Sequence, residues 1–116
     1  MKLIQYIVIR GDLKEKGYTI GSLITQGSHA AVAAIEKSKD SKFTQEYLHD
    51  LKSMHKVVLK IENEEKLKEF SKTLDNNKIG HFLWTEMPED ECTSLACYPD
   101  SAENLKPHFK SLKLFN

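Results

Sequence analysis

The stretch "LIQYIVIRGD", Leu3 to Asp12, decides the fold of this chain. Its first seven residues are nearly all apolar, and several are β-branched or aromatic. Such a run is typical of a strand buried on both faces of an α/β sheet. The polar residues that follow it end the run. A first strand is therefore predicted over residues 2–10, with a loop after it.

Outward from this strand, the chain alternates between strand-like and helix-like segments. Further strands are predicted at 56–61, 80–86 and 92–98, and helices at 20–37, around Tyr47, after Asn63 and after Ser101. Pro107 is expected to shorten or kink the last helix. The order β-α-α-β-α-β-β-α predicts a three-layer α/β fold, with a mixed sheet of about four strands and helices on both faces. The early strands are expected to be parallel and the last two antiparallel.

Composition limits what the chain can be. Its 116 residues predict a single domain over residues 1–116. Lysine and arginine together number 17, as do aspartate and glutamate, so no bulk basicity indicates a nucleic-acid partner, although a local patch stays open. The N-terminal apolar run is too short to span a membrane and no cleavage site follows it, so a cytoplasmic location is expected. Cys92 and Cys97 are expected on opposite faces of a strand, as free thiols.

The first helix carries a polar ridge beside its apolar face. Ser22, Gln26 and His29 follow one another at spacings of four and three, which places them on one side of a helix. Spacing alone leaves two interpretations open. The ridge is either the solvent-exposed edge of a half-buried helix or part of a functional site.

Motifs along nearly the whole chain resemble those of the type II peptidyl-tRNA hydrolases, the archaeal and eukaryotic kind. The matching segments are V-I-R-G-D-L at residues 8–13, G-S-L-I-T-Q-G-S-H-A-A at 21–31 and K-V-V-L at 56–59. The segments Y-I-V-I-R at 6–10, L-W-T-E-M-P-E at 83–89 and L-K-L-F at 112–115 are similar to a subgroup of that family, called peptidyl-tRNA hydrolase domain-containing protein 1.

This resemblance implies a hydrolase that cleaves the ester between a peptide and the 3′ ribose of tRNA. Its expected partner is peptidyl-tRNA or tRNA, a homodimer is a further expectation, and neither a metal nor an organic cofactor is implied. The residues that the resemblance assigns to catalysis are His29, Glu86, Asp12 and Gln26. Those assigned to substrate binding are Arg10, Ser22, Ser28, Thr93, Lys14 and Lys16.

The chain departs from the family pattern at two places. The family has a lysine four residues before the glutamine, where this chain has Ser22. The family's D-A-G-x-T-Q loop is replaced by "TEMPEDECT", in which Glu86 is nearest to the aspartate and Thr93 to a later threonine. Ester hydrolysis needs an activated water and a stabilised oxyanion, and serine supplies no positive charge. Lys14 or Lys16 is a candidate for that charge, or a solvated loop lysine.

Several residues have two interpretations. Asp12 suits an α/β site at a strand end or caps the loop, and Trp84 stacks on a base or belongs to the core. A basic set near the C-terminus contacts phosphates or forms a solvated helix face: Lys106, His108, Lys110 and Lys113. Three functions follow: a peptidyl-tRNA hydrolase, a non-catalytic module that binds tRNA or protein, and a cleft for a different small ester.

Overall fold

The strand at the start of the chain is the centre of the sheet. The computed structural model describes residues 2–116. The elements are β1 (Leu3–Arg10), α1 (Ile20–Lys37), α2 (Lys42–His49), β2 (Lys56–Ile61), α3 (Glu64–Asn76), β3 (His81–Glu86), β4 (Glu91–Cys97), β5 (Asp100–Ser101), α4 (Ala102–Phe109) and β6 (Lys113–Leu114). Short 3₁₀ turns lie at Lys14–Lys16 and Leu51–Ser53. The four predicted strands are confirmed to within one residue at each end.

The sheet is mixed and has six strands, in the order β3-β4-β1-β2-β6, with β5 also paired to β1. β1 and β2 are parallel, and β3 and β4 are antiparallel, as predicted. The two additional strands, β5 and β6, are each two residues long. Elements this short show no periodicity in a sequence, which is why about four strands were predicted.

Helices cover both faces of the sheet. On one face Tyr6 and Val8 of β1 pack against residues of α3 and α4, including Leu67 and Phe109. On the other face Ile7 and Ile9 of β1 pack in a second core that contains the small and aliphatic residues of α1. The alternation of side chains along a strand explains this division. The predicted α/β fold with helices on both faces is confirmed.

The helices begin where their caps predict. The hydroxyl of Thr19 accepts a hydrogen bond from the backbone N–H of Ser22 at the start of α1. The last helix is shorter than its apolar spacing suggests, because α4 ends at Phe109, two residues after Pro107. A proline inside a helix removes one backbone hydrogen bond, so termination soon after it is expected. Within residues 2–116, none of the helices is long and apolar enough to cross a membrane.

A β-bulge interrupts β4 opposite β3. Trp84 is paired with Ser94, whereas the next residue, Thr85, is paired with Cys92, so Thr93 is an extra residue in β4. The bulge turns both Thr93 and Ser94 towards α1, where their hydroxyls donate to Gln26. It also places Cys92 and Cys97 in the same core on the other face of the sheet. The prediction that the two cysteines lie on opposite faces is therefore wrong, although both thiols are free.

Candidate functional site

Gln26 is the central residue of a polar cluster between α1 and the sheet. Its side chain is buried, and its amide oxygen accepts a 2.7 Å hydrogen bond from the hydroxyl of Thr93. Its amide nitrogen donates to Oε2 of Glu86 at 3.3 Å, and its backbone carbonyl accepts a 2.8 Å bond from the Ser94 hydroxyl. Because the carboxylate of Glu86 only accepts hydrogen bonds, the NH₂ group of the amide faces Glu86 and the amide oxygen faces the Thr93 hydroxyl, which donates.

Glu86 ends strand β3 at a half-buried position. Its Oε1 accepts a 3.0 Å hydrogen bond from the indole N–H of Trp84, and its Oε2 accepts the bond from Gln26. Within residues 2–116, no lysine, arginine or histidine nitrogen lies within 4.0 Å of this carboxylate. Two neutral donors therefore orient the carboxylate, and its remaining lone pairs are free to accept a proton from water or substrate.

His29 lies on α1 one turn after Gln26. Its imidazole stacks on the indole of Trp84, with ring centroids 4.3 Å apart and an angle of 16° between the planes. Both rings are half-buried. Trp84 also packs against the α1-side core, so one face of its ring is covered by His29 and its N–H is directed at Glu86. The predicted ridge on α1 and the end of β3 thus meet at this pair of rings.

Arg10 forms a second polar group beside the first. Its guanidinium is buried and makes two 2.9 Å hydrogen bonds to the two carboxylate oxygens of Asp12. Its Nη1 donates to Oε1 of Glu91 at 2.8 Å and to the carbonyl of Cys92 at 2.9 Å. Burial favours a lower pKa for Arg10, but its hydrogen bonds to Asp12 and Glu91 and their negative charges outweigh this effect, and the pKa is raised. The same bidentate pairing lowers the pKa of Asp12.

Tyr18 and Glu91 belong to this second group and were not predicted. The Tyr18 hydroxyl is 3.4 Å from Oε2 of Glu91. Burial, followed by the charges of Glu91, Glu89 and Glu86, raises the pKa of Tyr18 to about 12, so the phenol stays protonated and can donate. The only signal in the sequence was an aromatic residue in an otherwise polar loop. Nothing in the sequence showed that the glutamate at the start of β4 would share Arg10 with Asp12.

The other predicted site residues lie outside these two groups. The Ser22 hydroxyl donates to the carbonyl of Thr19 at 3.0 Å, one turn before Gln26. The Ser28 hydroxyl donates to the carbonyl of Ile24, and Ser28 lines an apolar groove on the other side of α1. Lys14 and Lys16 are exposed in the loop before α1. Lys16 is close enough to contribute to the lowered pKa of Asp12, whereas neither lysine is paired with Glu86.

A hydrogen-bonded pair of a serine and a histidine lies outside the Gln26 cluster. The Ser71 hydroxyl is 2.7 Å from Nε2 of His81, and Nδ1 of His81 is 2.9 Å from the carbonyl of Ile79. This geometry joins α3 to β3. Ser71 is buried and the side chain of His81 is 5% exposed, so the hydroxyl is closed to a substrate. The hydrogen bond therefore holds the helix to the sheet.

Comparison with known proteins identifies the family of this chain. Residues 3–115 match the family model described as peptidyl-tRNA hydrolase PTH2. The proteins named "Putative peptidyl-tRNA hydrolase PTRHD1" from human and from mouse are each 39% identical over 115 residues, which is 97% of this chain and 82% of theirs. A solved structure of a protein of unknown function from Agrobacterium tumefaciens strain C58 shares the fold. Its TM-score is 0.66 at 11% identity, over 100% of this chain and 99% of that one. The resemblance found in the sequence is confirmed: the chain belongs to the peptidyl-tRNA hydrolase PTH2 family.

Proposed function

We propose that this chain binds peptidyl-tRNA and hydrolyses the ester between the peptide and the 3′ ribose, with Glu86 as the general base. The proposal rests on the family and on one observation. Glu86 carries a carboxylate that is fixed by Gln26 and Trp84 and has no cation beside it. A carboxylate that is not neutralised by an ion pair and keeps free lone pairs is suited to take a proton from water.

In the proposed reaction, a water molecule donates a hydrogen bond to Glu86 and its oxygen attacks the ester carbonyl carbon. Glu86 takes the proton as the carbon–oxygen bond forms, and negative charge develops on the carbonyl oxygen. The intermediate then collapses, the bond to the ribose oxygen breaks, and the proton passes from Glu86 to that oxygen. In this proposal His29, which stacks on the ring of Trp84, donates a hydrogen bond to the same centre.

The groups around Glu86 have positioning roles in this proposal. The hydroxyl of Thr93 holds the Gln26 amide in place, and the amide in turn holds the carboxylate. Arg10 joins the end of β1 to the start of β4 through Asp12 and Glu91, and thereby fixes the strand that carries Thr93. In this role Asp12 holds Arg10 and does not itself exchange a proton with the substrate. A reaction that depends on such an arrangement is sensitive to small displacements of its supports.

Stabilisation of the oxyanion is the weak part of this site. Ser22 occupies the position of the family lysine, and its hydroxyl is bonded to its own helix turn. Both sides of the Arg10 guanidinium are occupied by Asp12 and Glu91. With no free cation at the carboxylate, the developing negative charge has only neutral donors, and we expect slow turnover.

Release of N-acetyl-aminoacyl groups from tRNA, measured in single turnover with protein in excess, tests the proposal. Glu86→Gln should reduce the rate by about 100-fold or more, because the amide cannot accept the water proton. Glu89→Gln, at an exposed position of the adjoining turn, is the matched control and should leave the rate unchanged. Equal release by the wild type and Glu86→Gln would show that Glu86 is not the base.

The second candidate is a binding module that lacks catalysis. The observation that favours it is the absence of a cation within 4.0 Å of Glu86 in residues 2–116. This candidate predicts tRNA binding without release, even at high protein concentration. A titration of binding against salt separates the remaining possibility, because contacts to phosphates give a negative salt slope. Neither binding nor release would indicate a cleft that acts on a different small ester.

A further inference from the structure

An apolar groove runs along the side of α1 that faces away from Glu86. It has a volume of about 580 Å³, within the range of small-molecule sites. Its floor and walls are formed mainly by Ile7, Ile9, Leu23, Ile24, Val58 and Phe115. The groove exists because α1 packs across β3, β4 and β1, and leaves the same face of β2 uncovered.

The rim of the groove is unusually apolar for a surface. Ile20, Ile24 and Val32 are 65%, 63% and 69% exposed, and they lie along one side of α1. From Ile20 to Val32 is twelve residues, which at 1.5 Å per residue gives a groove about 18 Å long. Gly27 lies in the middle, where a Cβ atom would be 3.0 Å from the side chain of Ile9, so the floor is shaped by the close approach of α1 to β1.

A cation without a charged partner lies at one end of this groove. The ammonium of Lys56 donates to Oε1 of Gln5 at 2.6 Å and to the hydroxyl of Tyr47 at 3.1 Å, and it lies 5.0 Å from the centre of the Tyr47 ring. These partners are neutral, and within residues 2–116 no carboxylate lies within 4.0 Å of the ammonium. An ammonium has three N–H donors, so one remains available. Burial lowers the pKa of Lys56.

No acidic side chain of the described residues lines this groove, and the α-carboxylate of Asn116, a residue that does line it, is not within 4.0 Å of the Lys56 ammonium. The groove's only ionisable side chains in the described chain are those of Lys56 and, at the other end, Lys14. A ligand with one carboxylate and an unbranched apolar body is complementary to this surface. The carboxylate would accept a hydrogen bond from the free N–H of Lys56, and the apolar body would cover Ile24 and Val32. An acidic helix is less suited, because a single ammonium matches one head group and not a row of charges.

We propose that this groove is a binding site for an amphipathic carboxylate of the fatty-acid class, with its head group on Lys56 and its chain along α1. The site shares α1 with the Gln26 cluster, but it is lined by different residues and does not depend on the proposed hydrolysis. Of the residues predicted for the hydrolase site, only Lys14 and Ser28 line the groove.

Calorimetric titration of the protein without tRNA tests this proposal, with dodecanoate and dodecanol as probes below their micelle concentrations. Dodecanoate should bind about tenfold or more tightly than dodecanol, because only the carboxylate forms a charge-assisted hydrogen bond with the free N–H of Lys56. Lys56→Met should remove this preference and leave dodecanol binding unchanged. Equal binding of the two probes to the wild type, or a preference that survives in Lys56→Met, would overturn the proposal.

Variants of exposed residues keep the test independent of folding. Ile24→Glu places a charge in the groove and should abolish binding of both probes, whereas Leu51→Glu changes a 64% exposed residue outside the groove and should not. Two other outcomes overturn the proposal. One is a dimer in sedimentation velocity that Ile24→Glu converts to a monomer while dodecanoate has no effect. The other is an acidic amphipathic peptide that binds the groove when dodecanoate does not.

Discussion

The hydroxyl of Thr93 donates a 2.7 Å hydrogen bond to the amide oxygen of Gln26, across the interface between β4 and α1. Both side chains are buried, and this bond holds the amide in place with its NH₂ group towards Glu86. The bond exists because the bulge in β4 turns Thr93 towards α1 instead of towards α3. A single irregularity in one strand therefore supports the geometry of the candidate catalytic carboxylate.

Thr93→Val should weaken both stability and activity. The valine keeps the shape of the side chain but leaves the buried oxygen of Gln26 without a donor, at a cost of about 1–2 kcal/mol in the free energy of unfolding. The amide is then free to rotate, so we expect slower ester release as well. Thr85→Val on the neighbouring strand is the control, because its exposed hydroxyl meets only Cys92 Sγ at 3.6 Å. Urea denaturation and the release assay measure the two effects, and equal behaviour of the two variants would contradict the prediction.

Ser22→Lys should increase the rate of ester release. A lysine one turn before Gln26 brings a flexible cation to the side of α1 that faces Glu86, where it can stabilise the oxyanion. We expect an increase of about tenfold or more in single turnover. Thr25→Lys adds the same charge at an exposed position of α1 and controls for general attraction to tRNA. If both variants accelerate release equally, the gain comes from binding and not from the oxyanion.

The stacked pair of His29 and Trp84 gives an optical signal. Trp84 is the single tryptophan of the chain. Because the imidazole stacks on this ring at 4.3 Å, removal of the stack in His29→Ala should expose the indole to water and move its emission to longer wavelength. His108→Ala, on α4, is the control and should leave the emission unchanged. An emission maximum that is the same in His29→Ala and in the wild type would contradict the stacking of the two rings.

The pairing of Asp12 with Arg10 predicts a dependence of stability on pH. The pKa of Asp12 is lowered in the folded state, so its contribution is fully present above the unfolded pKa of about 4 and is lost as the pH falls through the folded pKa. Asp12→Asn should therefore cost about 2 kcal/mol near neutral pH, because it leaves the buried guanidinium with one fewer carboxylate. The difference from the wild type should shrink in acid.

Thermal unfolding of wild type and Asp12→Asn at several pH values measures this effect. Asp90→Asn, in the exposed turn between β3 and β4, serves as the control and should behave like the wild type throughout. A stability difference between wild type and Asp12→Asn that stays constant from neutral to acid pH would show that the loss is not due to ionisation of Asp12.

Local patterns in the sequence predicted many features of this structure. The apolar run of β1 predicted a strand buried on both faces, and the polar ridge on α1 placed Gln26 and His29 on one side of a helix. The motif around Gln26 and the segment around Trp84 indicated the family, which the comparisons confirm. These features depend on residues close together in the chain, so periodicity and motif spacing are sufficient to find them.

Contacts between residues that are distant in the chain could not be predicted from the sequence. The two-residue strands β5 and β6 form only because partner strands are already in place. Glu91 is bonded to Arg10 across 81 residues of chain and to Tyr18 across 73 residues, and no local pattern encodes these contacts. The groove with Lys56 at its end likewise depends on which strands α1 leaves uncovered.

The sequence by itself determined the class of fold, the order of the main elements and the family. The physical reason is that side-chain period and capping act within a few residues of one another. Only the tertiary structure decided that Thr93 faces Gln26. A β-bulge changes the face of the sheet to which a side chain points, and no local sequence pattern indicates this bulge. Only the tertiary structure, too, showed that Glu86 is held by two neutral donors in place of a cation.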